Sequence, residues 1–194
     1  MRQASFERNT KETRVKVFLN LDGQREIRVS TGLGYLDHML ELLAFWASWD
    51  LKVEAQGDLE VDAHHTIEDI GLSLGSCLDK AWQDRKGILR VGQAKVPMDE
   101  ALVESIVDIS GRPFLVCKGF SQVPALVFGE EKDVFREFFK SLSFSARFNL
   151  HLIFHYGSNG HHLLEAAFKS LGLAMREALT LVSNQISSTK GSLD

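Results

Sequence analysis

Two stretches decide the reading: DAHHTIEDIGLSLG, residues 62–75, and NGHHLLEAAFKSLG, residues 159–172. Aligned, both spell D/N-x-H-H-x-x-E-x-x-x-x-S-L-G at an offset of 97 residues, half of the 194-residue chain. A repeat at half the chain length marks a duplicated unit. Positions i and i+4 of a helix share a face, so His64 and Glu68 point one way, and so do His161 and Glu165. A histidine and a carboxylate at this spacing form a ligand pair, by the geometry that serves H-E-x-x-H metal sites. His65 and His162 are turned about 100° around the helix and would serve a different ion. Asp62 and Asn159 are good capping residues and place the histidines in the first helical turn.

Outward from the repeats, strands and helices alternate. TRVKVFLNLDGQREIRVS, residues 13–30, is predicted as a hairpin in which Val15, Val17 and Leu19 alternate, Asp22-Gly23 turns, and Ile27 and Val29 alternate. GLGYLDHMLELLAFWAS is predicted as a helix with Leu36, Leu40, Leu43 and Ala47 on one face. LKVEA and DLEVD read as short strands around Gln56-Gly57, and the first HHxxE helix runs to about Trp82. KVPMDEALVESIVDISGRPFLVCKGF is strand-rich and broken at Gly111-Arg112-Pro113. EKDVFREFFKSLSFSAR is helical, with Phe135, Phe138, Phe139 and Leu142 in its stripe; FNLHLIFHY is a strand; the second HHxxE helix runs to about Leu181. Each half therefore reads strands, helix, one or two strands, HHxxE helix. The expected class is α+β, with two pseudo-repeats (about 1–92 and 93–183) sharing one core in a single domain, then a polar tail over 184–194. Trp46 and Trp49, near the end of the first helix, are expected at an interface.

The bulk numbers exclude several classes. A chain of this length buries roughly 70% of its unfolded surface and needs no staples. The net charge of −4 opposes nucleic acid as a main partner. Cys77 and Cys117 lack C-x-x-C spacing and read as reduced thiols of a cytoplasmic protein. No apolar run reaches membrane-spanning length, and the opening MRQASFERNTKETRVKV has no signal-peptide core.

Counting ligands sharpens the metal reading. The two blocks supply four His and two Glu, and His38 and His151 bring the set to six His and two Glu. That divides into two ions with three His and one Glu each, leaving two open positions on an octahedral ion such as Mn²⁺. Asp37 would orient His38. A lone His-His pair is more often a surface or packed pair, and packing explains a repeated Ser-Leu-Gly. Packing does not explain His-His and Glu kept twice at a helix start. His155 is read as a packed or solvated residue.

LDHML, the D-x-HHTxED block, DEAL, SGRP, the LH strand, N-x-HHxxEAxFK and the terminal STKG together resemble the imidazoleglycerol-phosphate dehydratase family, from about Glu12 to Leu193. The resemblance implies removal of water from D-erythro-imidazole glycerol phosphate to give imidazole acetol phosphate in histidine biosynthesis. It implies two Mn²⁺ ions per active site and a duplicated α+β unit, ribosomal protein S5 domain 2-like. It also implies a single-function form, and 24-subunit cages with active sites between subunits. The implied metal ligands are His38, His64, His65, Glu68, His151, His161, His162 and Glu165. The implied phosphate-binding residues are Arg90, Arg112, Lys169, Ser188 and Lys190, and a phosphate dianion is suited by several fixed cations and hydroxyls. The acid/base glutamate maps onto Glu12, with His65 and His162 as further proton-handling candidates. The proton removed is weakly acidic and the leaving hydroxide poor, a combination that metal ions and fixed charges offset.

Two positions depart from the family pattern: Glu41-Leu42 stands for Asp-Gln after the His38 motif, and Asp62-Ala63 for Asp-Asp before the first pair. Both bear on substrate affinity more than on reaction type. Competing readings are a dinuclear metallohydrolase, which usually has more Asp and bridging carboxylates; a metal-storing cage, which needs no anion pocket; and nucleic-acid binding by fold analogy, which the acidic balance opposes.

Overall fold

The computed structural model describes residues 2–83, 85–191 and 193. The first half runs β1 (Gln3–Asn9), β2 (Thr13–Asn20), β3 (Ile27–Ser30), α1 (Gly34–Ala47), β4 (Asp50–Gly57) and α2 (His64–Ala81). The second runs β5 (Val91–Met98), β6 (Ala101–Asp108), β7 (Phe114–Lys118), a two-residue ladder of β8 (Leu126–Val127) and β9 (Glu130–Glu131), α3 (Lys132–Ser145), β10 (Asn149–Tyr156) and α4 (Gly160–Ala178).

The sheets have one topology written twice, β1-β2-β4-β3 and β5-β6-β10-β7. In each, the last pair is parallel and the rest antiparallel. A parallel pair needs a crossover, and α1 and α3 supply it. Alternation sets the faces: Val15, Val17, Leu19, Val103, Val107, Leu150 and Leu152 point inward and are buried. One cluster of buried residues runs through both halves, with α1 and α4 packed together and α2 on α3.

The repeated Ser-Leu-Gly has a packing cause. A Cβ on Gly75 would stand 2.6 Å from the Leu142 carbonyl oxygen and 2.7 Å from Ser145 Cβ on α3. A Cβ on Gly172 would stand 2.7 Å from the Leu43 carbonyl oxygen and 2.9 Å from Trp46 Cβ on α1. Each HHxxE helix thus crosses the other half's crossover helix at a glycine, where backbones meet closely.

Several local expectations are corrected. The 13–30 stretch is not a hairpin, because β4 takes the edge of β2 and β3 lies beyond β4, parallel to it. The connecting loop wraps Asp50: its Oδ1 accepts from the Gln24 and Glu26 amides at 2.7 and 2.9 Å, and its Oδ2 from Asn20 Nδ2 at 2.9 Å. Gly23 serves this close approach, since a Cβ there would lie 2.3 Å from the Asp50 amide nitrogen. The true partner of β2 on its other side is β1, whose weak alternation did not announce a strand. DLEVD is a turn closed by the Val61 amide on the Asp58 carbonyl at 2.8 Å. Trp49 is 1% exposed, a core residue and not an interface residue. Asp37 accepts from the Thr31 amide at 2.9 Å and so fastens the entry to α1, where it was expected to orient His38.

Candidate metal centre and anion cavity

Of the two helices that carry the repeat, α4 is capped by the expected residue, Asn159, whereas the N-cap of α2 is Ala63 and Asp62, one residue earlier, reaches only its first amide. Asn159 Oδ1 accepts from the His161 and His162 amides at 2.9 and 3.4 Å. Asp62 Oδ1 accepts from the His64 amide at 2.7 Å. The caps fix the first turn, and the i, i+4 rows follow. His161 Nε2 lies 2.8 Å from Glu165 Oε2, and His64 Nε2 lies 3.6 Å from Glu68 Oε2.

The α1–α4 crossing at Gly172 brings in a third donor. His38 Nε2 stands 3.6 Å from Glu165 Oε2, and ligand atoms of His38, His161 and Glu165 lie within 4.8 Å of one another. Among the described residues this is the one trio of His, Cys, Asp or Glu that converges so. Two imidazoles and a carboxylate suit a borderline or hard divalent cation, so the donor chemistry fits Mn²⁺ and also Zn²⁺. Glu165 is 6% exposed. Burial by itself would raise its carboxyl, but hydrogen bonds from Lys169 and His161 hold it below the usual carboxylate value. Lys169 Nζ sits 2.5 Å from Glu165 Oε1.

Among the described residues, the first half brings no third donor to its pair. If α3 is laid on α1 by their glycine contacts, the position of His38 is held by Glu137, which pairs with Lys140 at 2.8 Å. His151 joins neither pair. Its register partners are Ile106 and Val116, on the sheet face opposite to Ser105, whose Oγ meets Ser170 of α4 at 2.6 Å. His155 shares that outer face and bonds Glu104 at 2.7 Å.

The second histidine of each pair carries a carboxylate on Nδ1. Glu100 Oε2 lies 2.6 Å from His162 Nδ1, and Asp58 Oδ2 lies 3.1 Å from His65 Nδ1. These bonds raise both imidazoles above their usual value, and the His162 contact, with the Asn159 amide, holds Glu100 at about 2. Glu12 Oε2 lies 3.9 Å from His65 Nδ1. A carboxylate on Nδ1 fixes that nitrogen as donor and presents Nε2 to a cation. Asp58 and Glu100 were given no role from sequence: Glu100 stands in the DEAL stretch but lies 62 residues from His162, and Asp58, seven residues before His65, looks like any loop carboxylate. Nor was Tyr35, whose ring stacks on Phe128 at 4.5 Å beside His161, and whose buried hydroxyl has no partner among the described residues.

A second place collects cations. A cavity of about 490 Å³ is lined by Arg90, Arg112, Ser187, Ser188, Thr189, Lys190 and Leu193. The tail is tied there: the Arg90 guanidinium donates to the Ser187 carbonyl at 2.8 Å, and Ser187 Oγ donates to the Ile88 carbonyl at 2.7 Å. Asp108 grips the same guanidinium at 2.6 and 3.0 Å. Arg90 has φ 79°, a left-handed conformation costly for a side chain with a Cβ and typical of functional positions. Of the five phosphate-binding candidates, Arg90, Arg112, Ser188 and Lys190 meet here. Lys169 does not line this cavity and belongs to the Glu165 cluster. Of the two departures, Leu42 is partly buried against the core and Ala63 is 4% exposed.

Residues 31–175 match the imidazoleglycerol-phosphate dehydratase family. An imidazoleglycerol-phosphate dehydratase of Maridesulfovibrio salexigens is 56% identical over 193 residues, covering 100% of this chain and 98% of that protein. One of Heliobacterium modesticaldum is 49% identical, with 100% of each chain covered. The crystal structure of the Staphylococcus aureus dehydratase superposes with a TM-score of 0.83 at 35% identity, covering 93% of this chain and 99% of that one. That of Pyrococcus furiosus gives 0.84 at 36%, covering 96% and 99%. With full-length relatives and a matching fold, the chain belongs to the imidazoleglycerol-phosphate dehydratase family, hydro-lyases of histidine biosynthesis.

Proposed function

We propose that this chain carries out the Mn²⁺-dependent dehydration of D-erythro-imidazole glycerol phosphate to imidazole acetol phosphate, in the cytoplasm, with two ions per active site. The observation that carries the metal part is the convergence of His38, His161 and Glu165 within 4.8 Å. His64 and Glu68 would form the second cradle, and His65 and His162 would offer Nε2 to ions shared with a neighbouring protomer. Bound Mn²⁺ would supply Lewis acidity toward the imidazole and hydroxyl groups of the substrate.

The chain's own residues do the rest. Arg90, Arg112, Ser188 and Lys190 bind the phosphate, with Asp108 fixing the Arg90 fork. Glu12 accepts the carbon-bound proton at its carboxylate and returns a proton to the departing hydroxyl, so water leaves neutral. His65 and His162 handle protons only if one of them leaves its ion during the cycle. His151 faces away from both cradles, so it completes a site only in another protomer. Its sheet face includes half-exposed Val91 (51%) and Phe114 (57%), which favours a protomer contact there and the 24-subunit assembly. Lys169 reaches phosphate in the same way, across such a contact.

The test is turnover of imidazole glycerol phosphate by metal-stripped protein before and after adding Mn²⁺. The proposal expects activity only after addition. Equal turnover with chelator present, or release of inorganic phosphate in place of water, contradicts it.

A further inference from the structure

We infer that Asp58 sets His65 for metal binding and so leaves Glu12 free for the proton. Each half opens with a hairpin whose turn ends in a glutamate: Glu12 immediately precedes β2, and Glu100 immediately precedes β6. By the internal duplication these are counterparts. In the second half Glu100 takes Nδ1 of its histidine directly, at 2.6 Å. In the first half the nitrogen is already taken, by Asp58 at 3.1 Å, and Glu12 stands off at 3.9 Å. Asp58 comes from the β4–α2 connection; the β10–α4 connection, residues 157–159, is Gly-Ser-Asn and offers no carboxylate. The halves therefore meet one need, an acceptor on Nδ1, with different residues.

Two further observations point the same way. The Asp58 side chain is 18% exposed against 56% for Glu12, so the enclosed carboxylate holds the histidine and the open one does not. Asp58 Oδ1 is buried with no hydrogen-bond partner among the described residues, an arrangement that costs stability and that a carboxylate kept for folding would not need. Asp58 and Glu12 line one cavity of about 310 Å³ with Lys11 and Arg14. Asp58 is thus a positioning residue, acting through His65.

The inference rests on the acid/base reading of Glu12 only for what Glu12 is freed to do; the anchoring of His65 stands apart from it. The experiment is calorimetric titration of Mn²⁺ into metal-stripped full-length protein, for wild type, Glu12→Ala, Asp58→Ala, the double variant Asp58→Ala/Glu12→Ala and Asp58→Asn. Glu12→Ala is expected to bind as wild type. Asp58→Ala is expected to weaken one class of ion by about 10–100-fold. In that background Glu12 moves onto the vacated nitrogen, so adding Glu12→Ala, which leaves no acceptor, weakens binding further. Asp58→Asn keeps an acceptor for Nδ1 and is expected to stay within about threefold of wild type. Wild-type affinity in Asp58→Ala, or an equal effect of Glu12→Ala in both backgrounds, overturns the inference. Should Asp58→Ala not fold, a tenfold loss in Asp58→Asn overturns it instead. Turnover is read separately: activity retained by Glu12→Gln removes the acid/base role and leaves the affinity result standing.

Discussion

Glu165 is a buried carboxylate that stays ionised because Lys169 and His161 surround it, and His38 arrives from another helix. Glu12, by contrast, sits exposed on a turn, 3.9 Å from His65. The roles proposed for the two glutamates diverge accordingly. Glu12→Gln should cut turnover about 10²–10⁴-fold while Mn²⁺ binding is kept, measured as kcat beside a metal titration. Asp108 holds the Arg90 guanidinium, a planar fork of donors that lysine cannot copy. Arg90→Lys should therefore raise KM for the phosphorylated substrate about tenfold or more with kcat less affected; an unchanged KM would remove Arg90 from the phosphate site. The repeated histidines and glutamates are legible in the sequence because two copies in one context are improbable by packing. Asp58, Glu100 and Asp108 are not, since a lone carboxylate in a turn looks like any solvated charge until the fold sets it beside a partner.

Helix crossings place the ligands, and they do so unequally. Gly172→Ala and Gly75→Ala each force a backbone apart from a Cβ, and each should destabilise the chain by about 1–3 kcal/mol in denaturant unfolding. Only α1 carries a third ligand, so Gly172→Ala should also weaken Mn²⁺ binding more than Gly75→Ala; equal affinities would show that the crossing does not position His38. Asp50 governs the other element-level feature, the loop from β2 to β3. Burial raises its carboxyl, but the Glu26 and Gln24 amides and the Asn20 amide group outweigh this and hold it low. A carboxyl lowered in the folded state contributes stability that is fully present above its unfolded value, near 4, and is lost as pH falls through the folded one. Asp50→Asn should cost about 1–2 kcal/mol at pH 7 and flatten the acid limb of the stability curve below about pH 4, followed by urea unfolding. This loop is also where the sequence misleads. Asp22-Gly23 has the composition of a hairpin turn, yet the pairing of β2 with β4 over eight residues wins, because it buries Val15, Val17 and Leu19 against Leu51 and Val53. Helix identities were legible by contrast, since 3.6-residue stripes such as Phe135, Phe138, Phe139 and Leu142 persist over several turns.

Across the whole molecule, the duplication supplies two similar His–Glu pairs but, among the described residues, one converged trio, and it sends His151 to the outer face of the second sheet. On the proposed assembly a single chain would hold parts of sites. Mixing His151→Ala with His161→Ala, each inactive alone, should restore part of the activity through sites that draw one intact residue from each protomer; a mixture as inactive as its components would place both residues in one protomer's site. The two-fold plan of strands and helices was readable from the offset of 97 residues, whereas the fitting of protomers was not, because one chain's sequence carries no record of a neighbour's position. A metal cradle built from the repeat is tested most directly by the number of Mn²⁺ ions bound per chain after stripping and reloading. It predicts two, falling in Glu165→Gln and His64→Ala. A wild-type count of zero, or a count of two that neither substitution lowers, would contradict it.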